Sequence, residues 1–205
     1  MLYDRDQLRN YLVNDDGLIE EYQRQKEQYS EHSYRLYRFL TELEDIVNSV
    51  TDELAIIRRV IPKIRKLLTE CYWLQSDYIQ PSGKVNCAVK PLYEDLDYPL
   101  TIQNVVWLPQ QVSSIHNHGT WGIVGVISGQ EKNKLWRRCG ESGEKLELVG
   151  EKVLFPGDII AFTSNAIHSI ESLGDEPTIT FNLYGVTDFA NRYEYNPITH
   201  QAKNF

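Results

Sequence analysis

Residues 121–129 read Trp-Gly-Ile-Val-Gly-Val-Ile-Ser-Gly, a short apolar run closed by Gly129. Its length and its valines and isoleucines favour a strand. The same texture recurs on either side. Thr101–Trp107 reads as a strand ended by Pro109, and Leu135–Arg138, Leu146–Leu148 and Lys152–Phe155 as shorter ones. Pro156-Gly157-Asp158 is a turn. Ile159–Phe162, Ser169–Leu173 and Thr178–Tyr184 follow, with a turn at Gly174-Asp175. Many short strands at regular spacing predict a mainly-β sandwich or barrel.

Upstream the texture differs. Residues 1–70 hold 25 of the 50 charged residues but a single glycine, Gly17, and a single proline, Pro62, which favours helix. Leu36, Phe39, Leu40, Leu43, Ile46 and Val47 recur at helical spacing and predict a helix over 33–48. Ser49 and Thr51-Asp52 offer an N-cap for a second helix, with Glu53 in its first turn. Its stripe is Ile57, Val60, Ile61, Ile64, Leu67, Leu68 and Cys71, and Pro62 predicts a break or kink at Ile61. A less regular helix is expected over 17–31, and the Arg58-Arg59, Lys63 and Arg65-Lys66 group is expected on a solvated face. With no long linker between the textures, 1–75 is expected to be a helical segment packed on a barrel formed by 76–205, as one structural domain.

The chain has 205 residues and a net charge of −8, which argues against nucleic-acid and anionic-membrane binding. Its apolar runs are too short to span a bilayer. The first residues lack the apolar stretch of a signal peptide, so a cytoplasmic location is expected. Cys71, Cys87 and Cys139 are odd in number and lack a C-x-x-C, against a disulfide scaffold or a zinc ribbon. A monomer is the expected state.

The chemistry concentrates in histidine. His116 and His118 stand one residue apart, and at strand spacing such residues share a face. His168 lies fifty residues further on, in a later strand that a barrel can bring alongside. Gly119 and Gly122 leave room beside the pair, and Trp121, Ile123, Val124, Val126 and Ile127 supply apolar walls. Histidines facing an apolar cavity need a partner, and a metal ion provides one. His32 and His200 lie in polar surroundings and are expected to be exposed.

His116-x-His118 followed by Gly129 resembles the first cupin motif, and Gly157-Asp158…Thr163-x-Asn165-x-x-His168 resembles the second, with Thr and Asn where Pro and Gly are usual. The acidic ligand of the first motif is missing: Gly122 and Ile123 stand in its place. That pattern, together with Val106–Gly129 and the tail Leu183-Tyr184-Gly185…Arg192-Tyr-Glu-Tyr-Asn-Pro197, resembles the thiol dioxygenases of the cysteine dioxygenase family, in particular bacterial members such as the mercaptopropionate dioxygenases. The resemblance covers 72–205. It implies a cupin double-stranded β-helix (jelly-roll barrel) with an N-terminal α-helical segment.

The resemblance also implies Fe(II) held by His116, His118 and His168, and oxidation of a small thiol carboxylate by O₂ to the sulfinic acid. A three-histidine set by itself suits zinc or another divalent metal as well. The family's Ser-x-His-x-Tyr relay falls on Thr180, Asn182 and Tyr184, which strand spacing puts on one face. Tyr184 matches. Asn182 departs, because an amide orients a neighbour without carrying a proton. Gly122 falls where mammalian-type enzymes have a cross-linked cysteine, and no cross-link is expected. For the substrate carboxylate the family implies a cation, with Arg192 preferred and Lys90 second, since Arg binds a carboxylate bidentately. Two other readings stay open: a cupin metalloenzyme of another class, such as an isomerase or hydrolase, and a non-enzymatic ligand-binding cupin.

Overall fold

The computed structural model describes residues 8–22, 34–82, 85–95, 97–141 and 143–205. Along it run β1 (Asn10–Val13), β2 (Ile19–Tyr22), α1 (Leu36–Ser49), α2 (Glu53–Glu70), β3 (Cys87–Tyr93), β4 (Thr101–Trp107), β5 (Ile115–His116), β6 (Gly122–Ser128), β7 (Gln130–Cys139), β8 (Lys145–Leu154), β9 (Ile159–Phe162), β10 (Ile167–Leu173), β11 (Thr178–Tyr184), β12 (Tyr193–Tyr195) and β13 (Ala202–Asn204). One sheet has the order β2-β1-β9-β6-β11-β4-β3, the other β13-β12-β5-β10-β7-β8. The fold is mainly β, as its turn-rich texture predicts.

Residue parity explains why β6 and β11 are buried almost throughout. Phe181 and Leu183 on β11, with Ile123 and Ile127 on β6, are buried in one cluster with Phe39, Leu43, Ile57, Val60, Ile64 and Leu67 of the two helices. The alternate residues Val124 and Val126 join Tyr11, Val13, Leu135, Ile160 and Phe162 in a second cluster between the sheets. Strands covered on both faces carry near-continuous apolar runs. Phe39 meets Phe181 edge to face, 6.3 Å between ring centres. A Cβ on Gly125 would lie 2.7 Å from Leu68 Cδ1, so this glycine lets α2 seat directly on β6.

Asp52 caps α2 by accepting from the Ala55 N–H at 2.7 Å. Of the break or kink expected at Ile61, the break does not occur: the helix runs continuously through Pro62. Buried residues on both sides of the proline, Ile57, Val60 and Ile61 before it and Ile64, Leu67 and Leu68 after it, pin both halves to the same sheet. The helix expected over 17–31 does not begin as one: Ile19–Tyr22 is strand β2, and 23–31 lies outside the described residues. The upstream texture is therefore not wholly helical. β1 enters the first sheet parallel to β9 while pairing antiparallel with β2. Residues 145–154, expected as two strands, form one, with an irregular register against β7 at Leu135/Trp136. No helix among the described residues is long and apolar enough to cross a membrane.

Arg65 corrects another expectation. It is buried, at 3% exposure, rather than on a solvated face. Its guanidinium donates to Gly157 O at 2.8 Å, Arg9 O at 2.9 Å and Asn10 Oδ1 at 2.6 Å. It thereby fastens α2 to β1 and to the turn before β9. Arg65→Ala is expected to cost about 3 kcal/mol, since hydrogen bonds to a charged group are worth ~1.5–3 kcal/mol each and two acceptors, Gly157 O and Asn10 Oδ1, would lose their donor. Urea unfolding measures it, and a loss under ~0.5 kcal/mol, the size of an ordinary surface substitution, would refute the clamp.

Candidate metal centre

The three histidines meet where the second sheet opens towards the first. His116 ends β5 and stands directly opposite His168 on β10 in the antiparallel register. His118 lies just past the strand, followed by Gly119 at φ +63°. One ring nitrogen from each of the three lies within 4.8 Å of the others. Ring centres are 5.1 Å apart for His116–His118, 4.7 Å for His116–His168 and 4.9 Å for His118–His168.

Hydrogen bonds decide which nitrogens are free. His116 Nδ1 faces Ser114 O at 3.0 Å, so it carries the proton and donates. His168 Nδ1 faces Asn133 Oδ1 at 2.8 Å and donates likewise. Both rings therefore bare Nε2. His168 Nε2 and His118 Nε2 converge to 3.3 Å, and among the described residues buried His118 Nδ1 has no partner. Fixing one ring nitrogen on a carbonyl so that the other is free is how metal-ligating histidines are held. Burial lowers all three pKa values, and the mutual repulsion of the rings lowers those of His118 and His168 further. A set of neutral imidazoles with inward lone pairs fits a divalent ion. It accepts iron, zinc or manganese on donor type alone.

The two positions where the second motif departs from the cupin pattern have their own partner. Thr163 Oγ1 donates to Asp15 Oδ1 at 2.5 Å, and Asn165 Nδ2 donates to Asp15 Oδ2 at 3.1 Å. Ser164 binds Glu53 through both N–H and hydroxyl. The loop that delivers His168 is thus tied to the strand-and-helix region upstream.

Thr180, Asn182 and Tyr184 do share one face of β11. The Tyr184 hydroxyl donates to Asn182 Oδ1 at 3.1 Å, and Asn182 Nδ2 donates to Thr180 Oγ1 at 2.8 Å. Burial, reinforced by the Glu131 carboxyl, pushes the Tyr184 hydroxyl up, so it stays a neutral donor. Its ring centre is 4.7 Å from that of His118. A Cβ on Gly122 would come within 2.9 Å of this ring, so the glycine makes its seat. Phe162 walls the other side, 4.1 Å from the His168 ring centre.

Arg192 is brought to the same place and Lys90 is not. Arg192 follows a short 3-10 turn, Phe189–Asn191, and precedes β12, which pairs with β5. Its positive charge depresses His116, His118 and Tyr184, and its guanidinium lies 4.3 Å above the Phe205 ring. Asn117, between the two histidines, donates to Asn191 O and accepts from the Tyr193 N–H, stapling this segment to them. Lys90 pairs in register with Asn104, which pairs with Phe181. That is the helix-facing side of the first sheet, where Lys90 forms an ion pair with Asp77.

Asn133, Ser114, Asn117, Phe162 and Phe205 escape a reading of the sequence alone. The signal for Asn133 is an alternation Glu131-x-Asn133-x-Leu135 that continues β7 inward. The charged residues between them hide it. Glu131 is also buried, which raises its carboxyl to about 7 against the opposing bond from Asn133. His200, expected to be exposed, is half-buried, and its Nδ1 accepts from the Leu146 N–H. His32 lies outside the described residues.

No protein-family model matches the chain. Among solved structures it is similar to an oxalate oxidase in complex with the substrate analogue glycolate, at 16% identity and a TM-score of 0.44, over 54% of this chain and 56% of that one. The chain therefore matches little more than half of the oxalate oxidase's length. It is similar to a cupin superfamily protein from Desulfitobacterium hafniense at 11% identity and a TM-score of 0.41, over 54% of this chain and 84% of that one. An uncharacterized conserved protein from Klebsiella pneumoniae with a double-stranded β-helix domain matches at 20% identity and a TM-score of 0.43, over 56% of this chain and 88% of that one. In each case the likeness is one of fold.

Proposed function

We propose that the chain is an Fe(II)-dependent thiol dioxygenase that converts a small thiol carboxylate, of the cysteine or 3-mercaptopropionate type, to the sulfinic acid. The observation that carries this is the donor set: three neutral imidazoles with inward nitrogens and no carboxylate among them. His116, His118 and His168 would hold the ion. Bound there, Fe(II) supplies an uncompensated positive charge that favours a thiolate over a thiol and a centre at which O₂ reacts. The choice of iron and of sulfur oxidation rests on the sequence resemblance. The thiolate sulfur gains both atoms of one O₂, giving R–SO₂⁻ from R–S⁻ with no other oxidant or reductant.

The chain's own residues do the rest. Arg192 binds the substrate carboxylate by two parallel hydrogen bonds. Tyr184 donates its hydroxyl hydrogen to the reacting group, and Asn182 fixes the direction of that hydroxyl. Phe162 and Phe205 limit the water around the sulfur. One observation favours a second reading, a cupin metalloenzyme of another class: the Thr180-Asn182-Tyr184 row has an amide at its centre, and Asn182 orients the tyrosine without carrying a proton.

The test is oxygen uptake by anaerobically iron-loaded protein offered cysteine, 3-mercaptopropionate and cysteamine, with product identified by mass. Sulfinate formed in step with O₂ consumption, from a carboxylate-bearing thiol in preference to cysteamine, is the expected result. Stoichiometric iron with no thiol-dependent uptake would move the assignment to the second reading.

A further inference from the structure

Glu131 lies on the second residue of β7 and faces the space between the sheets, opposite Leu154 on β8 and Ser172 on β10. It is 3% exposed. Among the described residues its carboxylate has one hydrogen-bond partner, Asn133 Nδ2 at 2.8 Å, and no cation pairs with it. A buried carboxyl with so little compensation costs several kcal/mol relative to an apolar residue that packs the same space. Groups kept at such a cost concentrate at functional sites.

The connection runs on from Asn133. Its Nδ2 donates to Glu131 Oε1, and its Oδ1 accepts from His168 Nδ1. A carboxamide is nearly symmetric in shape, and either end can face a neighbour. Turned over, Asn133 would present N–H to His168 Nδ1. That nitrogen would then have to accept, and the ring proton would move to Nε2, the atom aimed at the other histidines. An ionised carboxylate can only accept, so above its raised pKa of about 7 Glu131 admits one orientation of the amide.

We propose that Glu131 is a positioning residue of the metal centre: by locking the Asn133 amide it fixes the His168 tautomer and keeps Nε2 free as a ligand. The inference rests on the three histidines holding a metal, not on thiol oxidation.

Co(II) serves as the probe, titrated into metal-free full-length protein against a chelating chromophore. Glu131→Gln keeps the shape but lets both amides turn over together, so Co(II) affinity should fall about 10-fold, within the 10–100-fold typical of residues behind metal ligands. The double variant Glu131→Gln/Asn133→Asp should return to within a few-fold of wild type, because a carboxylate at position 133 accepts from His168 Nδ1 whichever way the amide at position 131 turns. A merely structural role for Glu131 predicts no such rescue. Unchanged affinity in the single variant, or a double variant as weak as the single, overturns the proposal. A second readout needs no variant: Co(II)-loaded wild type should show a hyperfine-shifted, slowly exchanging Nδ1–H proton resonance from His168, and its absence overturns the proposal too. If wild type binds no Co(II), the metal reading fails and this inference falls with it. If wild type binds Co(II) while the single variant keeps its affinity or the double variant is not rescued, this inference fails alone.

Discussion

His168→Ala is expected to weaken divalent-metal binding by at least two orders of magnitude and to remove thiol-dependent oxygen uptake. Four-ligand protein sites bind zinc with ~10–16 kcal/mol, so one ligand is worth on the order of 3 kcal/mol, or about 10²-fold. The loss should be larger here, because His116 and His118 alone sit on one segment and cannot enclose an ion from two sides. His168 comes from β10, across the register from His116, and closes the set. The substitution also leaves Asn133 Oδ1 without its donor, at a buried position. Metal titration of the metal-free protein reads the affinity, and circular dichroism shows whether the barrel is intact. A folded variant within a few-fold of wild-type affinity would exclude His168 as a ligand.

Gly122→Ala is expected to lower kcat about 10²-fold while leaving metal content unchanged, since displacing a catalytic group by ~1 Å can cost that much. The added methyl would stand 2.9 Å from two carbons of the Tyr184 ring and 3.3 Å from His118 Nδ1. Real contacts of this kind are longer, and the Tyr184 ring is held against His118 with its hydroxyl on Asn182. Something must move, and the tyrosine has the single hydrogen bond to lose. Turnover with the best thiol of the panel and iron content per chain are measured together. Wild-type turnover in the alanine variant would mean that the tyrosine's position does not govern the reaction.

Much of the fold and of the site is legible in the sequence, for reasons that particular residues make plain. Thr101–Trp107, Ile159–Phe162 and Thr178–Tyr184 read as strands at the bounds they adopt, because β-branched runs end there at proline, glycine or polar turns. The histidine cluster is legible because so few histidines exist and two share a face. Asn10–Val13 is not, since a four-residue strand inside a charge-rich stretch carries no local signature and is made by pairing with distant β9. Arg65 reads as surface because its acceptors, Gly157 O and the backbone of Arg9, belong to segments that sequence spacing cannot bring near a helix. Pro62 breaks no helix because packing on both sides outweighs the lost hydrogen bond. Asn133 and Glu131 are hidden for the converse reason: polar residues facing inward look like surface.

The two-sided burial of β11 separates two kinds of consequence by odd and even residue number. Ile179, Phe181 and Leu183 look towards the helices, while Thr180, Asn182 and Tyr184 look towards the histidines. Variation at odd positions is therefore felt as melting temperature and variation at even positions as chemistry. Along six consecutive residues, 179–184, a lineage can drift in stability and in reactivity on two interleaved and nearly independent tracks.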